Sequence, residues 1–250
     1  MKTFKIYSYL IECLSNMHVG TGGDNFGIVD KEIQRDQVDN VPIIHASSLK
    51  GAIREFFDKS ILLDPTLLKK YFGSDKNDNI LQQGMLRFFE ARLLVIPVRG
   101  VGDLSDYSGT SLQLLTDYNK FVTVMDSSIQ LLSLPTVNNE HAITEFGNAT
   151  FIPSFTPIGN NIAYFTNEKM NSVLKGLPII ARNSLENGQS ENLWYEEIIP
   201  RGSKYYFFVA VPEEEIIEFS TELESKMLNN VVQIGANATV GYGFCKIFKL

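Results

Sequence analysis

The chain of 250 residues and 28.1 kDa is 44% hydrophobic with a mean hydropathy near zero, which excludes a disordered chain or a membrane bundle and allows a sizeable core. No apolar run reaches the roughly eighteen residues of a membrane span and the N-terminus lacks a signal peptide's layout, so a cytoplasmic protein with no membrane partner is expected. The net charge of −7 argues against a broad basic face for nucleic acid, yet six glutamates (Glu213, Glu214, Glu215, Glu218, Glu222 and Glu224) lie within residues 213–224, and the rest of the chain is close to neutral.

Residues 4–14 are aromatic and β-branched and read as a buried strand. A glycine-rich loop over residues 18–30 follows. In the next segment Ser47 and Ser48 are good helix N-caps, and Leu49, Ile53, Phe56 and Phe57 recur at helical spacing, which predicts a helix over 47–58. Lys50 and Arg54 stand four apart, so they share one face near the start of that helix, where free N–H groups favour anions. Residues 86–97 read as a second strand, its Leu93–Ile96 portion buried on both faces. Residues 98–165 hold a helical stretch near 111–118 and several short strand-like runs, and are expected to form an insertion without a core of its own.

A short helix over 167–175 carries Met170, Val173 and Leu174 on one side, and 177–182 with 192–200 read as a hairpin around Glu186-Asn187-Gly188. Residues 204–211 form a strand that Pro212 ends. An amphipathic helix over 213–229 follows, with Ile216, Phe219, Leu223 and Met227 as its stripe and its early glutamates solvated and suited to the helix dipole. A second glycine-rich loop, 232–243, leads into a last strand, 244–248.

This order is α+β: two βαβ-type halves around an insertion, the ferredoxin-like split βαβ arrangement. Its first and last strands are antiparallel neighbours, which brings Cys13 near Cys245 as reduced core thiols rather than a disulfide. With His18, His45 and His141 at no ligand spacing, zinc is not expected. The loop at 20–27 is neither a Walker A motif nor a Rossmann fingerprint. Both glycine-rich loops flank central strands, however, so they are placed to converge on one face. With Lys50 and Arg54 they would make a phosphate-binding groove without a large positive charge.

His18-Val19-Gly20-Thr21-Gly22, Gly27-Ile28-Val29-Asp30, Ile33-Gln34-Arg35-Asp36, Pro42-Ile43-Ile44 and Ser47-Ser48-Leu49-Lys50-Gly51-Ala52-Ile53-Arg54 resemble the N-terminal signature of the RAMP superfamily, the RNA-binding subunits of CRISPR effector complexes. Leu193-Trp194-Tyr195-Glu196-Glu197 with Pro200, and Ile234–Gly243, resemble the backbone subunits of its type III-B (Cmr) branch. The resemblance implies one domain over 1–250 with an RRM-like palm, an insertion over about 98–165 and a thumb-like insertion over about 166–200. It also implies a filament of copies along a guide RNA, with other Cmr-complex subunits, that cuts complementary target RNA at regular intervals with a divalent metal, Mg²⁺ or Mn²⁺, leaving a cyclic phosphate. The catalytic and metal-holding position of the family falls on Asp30, with His18 in support and Glu196 as a further candidate.

Asp30 suits that chemistry, because attack by a 2′-hydroxyl on its own phosphate needs a base or a metal-holding carboxylate and in-line positioning. Without the resemblance Asp30 is a solvated loop acid, His18 a strand-end histidine bonded to backbone, and Asp24 and Asp36 are loop acids of no role. Lys50, Arg54, Ser48, Gly235, Asn237, Thr239 and Gly241 are read as RNA contacts, and Met170 and Leu174 as an apolar wedge that opens the duplex, against plain core packing. Two alternatives stay open: a non-catalytic RNA-binding backbone subunit, and a processing endoribonuclease that trims guide precursors.

Overall fold

In the first strand, Tyr7, Tyr9, Ile11 and Cys13 enter one apolar cluster while Leu10 enters another, so this strand is buried on both faces and carries a layer on each. The computed structural model describes residues 3–22, 29–75, 78, 81–102, 106–125, 129, 131–135, 140–186 and 189–250. Asp24, Gly23 and Gly27 of the first glycine-rich loop, and Asn187 and Gly188 of the hairpin turn, lie outside the described residues.

The elements run β1 (Phe4–Cys13), β2 (Ile43–Ile44), α1 (Ala46–Glu55), α2 (Pro65–Phe72), β3 (Arg87–Phe88), β4 (Ala91–Arg99), β5 (Asp106–Ser111) and α3 (Leu112–Met125). They continue with β6 (His141–Thr144), β7 (Gly147–Phe155), β8 (Gly159–Phe165), α4 (Asn167–Lys175), β9 (Ile179–Glu186), β10 (Gln189–Glu197) and β11 (Lys204–Pro212). Helical turns from Glu213 to Asn229, then β12 (Val231–Gln233) and β13 (Phe244–Lys249), complete the chain.

Four strands lie in the order β13–β1–β11–β4, each antiparallel to its neighbour. This is the split βαβ order: α1 follows β1, the 213–229 turns follow β11, and each connection passes over the strand that fills the gap. Cys13 and Cys245 are register partners in β1 and β13, both buried and both free. Burial and the neighbouring Cys245 sulfur hold the Cys13 thiol well above its ordinary pKa, the sulfur contact being the larger cause.

Residues 98–165 extend the same sheet. β5 pairs with β4 and runs parallel to β8, and β7 and β6 complete the edge. The helix expected near 111–118 continues to Met125, and its Leu115, Tyr118 and Val122 cover Leu10, Leu94, Val95, Tyr206 and Phe208 on the second face. That cover explains the unbroken apolar runs of β4 and β11. The β9–β10 hairpin stands apart as a two-stranded sheet.

The glutamate-rich stretch starts in solvent as expected, with Glu213 and Glu214 exposed, but its later acids turn to partners within the fold. Phe219, Leu223 and Met227 are its buried stripe, but the turns alternate between 3-10, α and π geometry. Glu215 and Glu218 ion-pair with Lys70, and Glu218 accepts from the Tyr71 hydroxyl. Glu224 is buried, accepts from the Tyr9 hydroxyl at 2.7 Å and pairs with Lys249 at 2.8 Å. Burial, and then the Glu224 contact, push the Tyr9 phenol far above its ordinary pKa, so it stays a donor.

Tyr9→Phe leaves the buried Glu224 carboxylate with one partner fewer. The expected loss is about 1–3 kcal/mol of stability in urea unfolding, with the slope m unchanged. A change under a few tenths would mean that Lys249 alone satisfies the acid.

Candidate functional site

After Cys13 the chain leaves the sheet and is pinned twice. Met17 exchanges backbone hydrogen bonds with Ile199, both at 2.8 Å, and the Gln34 N–H donates to the Val19 carbonyl at 2.9 Å. Residues 30–35 are thereby laid beside the end of β10: the Asp30 and Lys31 amides both donate to the Tyr195 carbonyl at 3.1 Å, and the Glu197 amide donates to the Lys31 carbonyl at 2.9 Å. The Gln34 side chain stitches the layer. It donates to the Gly20 carbonyl and the Ser48 hydroxyl and accepts from the His45 amide.

Asp30 is half-buried at this junction. Its Oδ2 accepts from the Tyr195 amide at 2.7 Å, while Oδ1 has no partner among the described residues.

His18 is 3% exposed. Its Nδ1 lies 2.7 Å from the Glu197 carbonyl, which only accepts, so Nδ1 carries a proton and donates it there. Nε2 faces Glu196 at 3.9 Å and covers Gly20, where a Cβ would stand 2.8 Å away. The histidine is thus bonded to backbone in the loop after β1.

Glu196 is 2% exposed and is engaged through one oxygen: Arg182 Nε lies 2.5 Å from Oε2 and Asn237 Nδ2 donates to the same oxygen at 2.8 Å. Its burial and this pairing do not fit the expectation of a catalytic acid open to substrate. Its neighbour Glu197, also buried, pairs with Arg35 and accepts from the Ile33 amide. Arg35 donates onward to the Leu174 and Asn40 carbonyls.

The second glycine-rich loop does meet the first. The Ala236 amide donates to the His18 carbonyl at 2.8 Å, and Gly235, at φ +89°, lies where a Cβ would come within 2.3 Å of that same carbonyl. Gly235 is therefore a glycine for close approach and for its backbone angle. Asn237 is turned inward to Glu196. Thr239 and Gly241 remain exposed at the short turn Ala238–Val240.

Lys50 and Arg54 do share a face of α1, but neither sits in its first turn. The helix begins at Ala46 after His45, so Ser47 and Ser48 are inside it rather than caps, and Arg54 is in the last turn. Arg54 pairs with Asp75 at 3.6 Å. Burial first, and then the charge of Arg54, lower the Lys50 pKa. Asp36 belongs to a turn: although burial pushes its carboxyl up, the Val38 amide and the Arg92 charge hold it below the usual range.

Met170 and Leu174 are 2% and 3% exposed in the main core, so the apolar wedge assigned to them is corrected. Core packing explains their spacing on α4. Exposed apolar side chains lie instead on the hairpin, at Ile179 and Leu193, which are 51% and 54% exposed. Sequence reasoning also missed Arg182. Its signal was the hairpin register, which sets it directly opposite Trp194.

Among the described residues no three His, Cys, Asp or Glu side chains gather to hold a metal ion. No helix among them is long and apolar enough to cross a membrane.

The RAMP superfamily model matches residues 10–246. The CRISPR system Cmr endoribonuclease Cmr4 of Pyrococcus furiosus is 27% identical over 286 residues, covering 97% of this chain and 95% of that protein. A Csm3 endoribonuclease of Enterococcus italicus is 39% identical over 57 residues, 22% of this chain and 27% of that protein. Among solved structures, the type III-B Cmr-beta complex in its apo state holds a chain with a TM-score of 0.81 at 19% identity, covering 98% of this chain and 97% of that one. Oligomeric Cmr4 from Pyrococcus furiosus has a TM-score of 0.74 at 18% identity, covering 98% and 99%. These structural likenesses establish the fold.

Gly235→Ala forces a side chain into a left-handed backbone and onto the His18 carbonyl. The expected cost is about 1–3 kcal/mol in denaturant unfolding, with loss of amide protection at Ala236 in hydrogen exchange. Unchanged protection would show that the two loops are not locked together.

Proposed function

The chain belongs to the RAMP superfamily, and from that premise we propose that it is a guide-RNA-bound filament subunit of a type III-B CRISPR effector complex that cuts RNA paired to the guide. Copies of the chain stack along the guide in the cytoplasm, together with other Cmr subunits. The likeness to a Cmr endoribonuclease along nearly the whole chain supports this reading. The observation that carries it is the Asp30 carboxylate, anchored through Oδ2 to the hairpin backbone with no partner for Oδ1 among the described residues.

Asp30 Oδ1 takes the proton of a target 2′-hydroxyl as that oxygen attacks the adjacent phosphorus. The bond from phosphorus to the 5′-oxygen breaks, the 5′-oxygen leaves with a proton from water, and a 2′,3′-cyclic phosphate remains. Holding the 2′-oxygen, phosphorus and leaving oxygen in line is the protein's main task. The β9–β10 hairpin, with exposed Ile179 and Leu193, replaces α4 as the element that enters the duplex and splays a nucleotide. His18 and Glu196 are positioning residues: they fix the loop that carries Asp30 and the strand it rests on.

A single free carboxylate oxygen does not make a resident metal site, but it fits an ion that arrives shared with RNA phosphates. Asp30 would be the residue that holds Mg²⁺ or Mn²⁺ there, and the ion would supply Lewis-acid activation of the 2′-hydroxyl in place of direct proton transfer to the carboxylate. The burial of His18 and Glu196, which leaves one working carboxylate, favours as the second reading a backbone subunit that binds RNA without cutting it.

Reconstitution with guide RNA and a labelled complementary RNA separates the two. Asp30→Asn keeps an acceptor for the Tyr195 amide, so target binding should persist while cutting falls by about 10²-fold or more. A chelator should abolish cutting and spare binding. An unchanged ladder of evenly spaced products in the variant overturns the assignment, and a wild type that binds but never cuts favours the scaffold.

Lys50→Ala with Arg54→Ala should weaken guide binding and flatten its salt dependence. The slope of log K against log salt should become shallower by about 0.7 for each phosphate the protein no longer neutralises. Unaltered binding removes this helix face from the groove.

A further inference from the structure

We propose that Trp194, Arg182 and Lys31 form an anion site that holds a phosphodiester group of RNA beside Asp30. The inference rests on the reading of this chain as an RNA-binding protein and adds to it the group that faces the base. Trp194 and Arg182 are register partners in the β9–β10 hairpin, so their side chains stand on one face. Three of their nitrogens, Trp194 Nε1 and Arg182 Nε and Nη2, are shut off from water and make no hydrogen bond among the described residues, although Arg182 Nε stands 2.5 Å from the Glu196 carboxylate. Buried polar groups are rarely left in this state. All are donors with no accepting capacity, so only an acceptor completes them.

Lys31 supplies the third donor. Its side chain is exposed, its Nζ lies 5.2 Å from the centre of the Trp194 ring, and no acid among the described residues pairs with it. The ammonium rests on the indole face and turns to a ligand at small cost, since a cation–π contact at an exposed site is weak. Charge selects the ligand class. Arg182 is paired with the buried Glu196 carboxylate, so Lys31 is the cluster's one cation without an ion-pair partner among the described residues. With the Asp30 carboxylate close by, a singly charged phosphodiester is favoured over the dianion of a terminal phosphate.

Placement adds the function. Asp30 precedes Lys31 in the chain, and its carboxylate is bonded to the amide of Tyr195, the residue after Trp194. The free oxygen that accepts a proton and the donors that attract a phosphate oxygen therefore sit on one short stretch of paired backbone. Negative charge that grows on the phosphate during attack meets donors already in place.

The test uses the assembled protein–guide complex in an Asp30→Asn background, so that its outcome is independent of cutting. Trp194→Phe removes the N–H and keeps the ring; Lys31→Gln removes the charge. Target RNAs carry one neutral methylphosphonate linkage at successive positions, and a second series carries it in the guide. At one position per subunit the wild-type cluster should lose about 10-fold in affinity with the neutral linkage, and the double variant should lose nothing further. The series that shows this coupling identifies the strand held. A double variant with unchanged thermal stability and the same penalty as wild type in both series overturns the site. Coupling that vanishes while wild type still cuts in an Asp30-dependent way would leave the proposed function standing and remove this inference.

Discussion

A carboxylate closed off from water must find positive or donor partners, and Glu196 is the group in this fold on which that requirement falls hardest. Its partners come from two distant parts of the chain, Arg182 from the facing strand of the hairpin and Asn237 from the loop before β13, and the Ala236 amide of that loop is bonded in turn to the His18 carbonyl of the loop after β1. An unpartnered charge at this depth would cost several kcal/mol, so the hairpin, the two glycine-rich loops and the sheet ends are held to one arrangement. Glu197 repeats the device on the next residue, with Arg35 as its cation. Adjacent residues of a strand point to opposite faces, so the two acids brace the hairpin from both sides.

The palm was legible because its signals were periodic. Unbroken apolar strands, a glutamate-led amphipathic stretch and the βαβ order suffice to place β1, β4, β11 and β13 and to bring Cys13 opposite Cys245. The convergence of the glycine-rich loops followed from the same topology, since each flanks a central strand. What escaped was set by tertiary partners. Met170 and Leu174 have the spacing of any buried helix stripe, and nothing local distinguishes a core from a wedge. Ser48 looks like a cap, but Gln34 claims its hydroxyl. Glu196 looks like an available acid in the sequence Tyr195-Glu196-Glu197, and only the pairing of β9 with β10 reveals the arginine that neutralises it.

Net charge misled for a related reason. Many acids of this chain are engaged within it: Glu215 and Glu218 with Lys70, Glu224 with Lys249, Asp36 and Glu90 with Arg92, Glu196 and Glu197 with Arg182 and Arg35. Such acids shape the interior and contribute little field at a groove, because each stands within a few ångströms of its counter-charge. The potential that a phosphate backbone meets is set by the cations left over, and Lys50 and Lys31 have no ion-pair partner among the described residues. A filament multiplies so small a surplus by the number of subunits along the strand.

The anchoring of Asp30 links this bracing to chemistry. A carboxylate free at both oxygens rotates, and its basic lone pairs sweep a cone; one bonded to a backbone amide presents a single oxygen in a fixed direction. The bond is to the Tyr195 amide, on the strand that Glu196 and Glu197 hold rigid. Any displacement of the hairpin tip is therefore resisted at its base, and the carboxylate moves with β10 rather than with its own loop. The loop amides of Asp30 and Lys31, both given to the Tyr195 carbonyl, make the same coupling from the other direction. On the proposed function, an RNA duplex that pushes on the exposed hairpin acts on the same strand that aims the carboxylate, and duplex opening and the alignment of the base are two consequences of one contact.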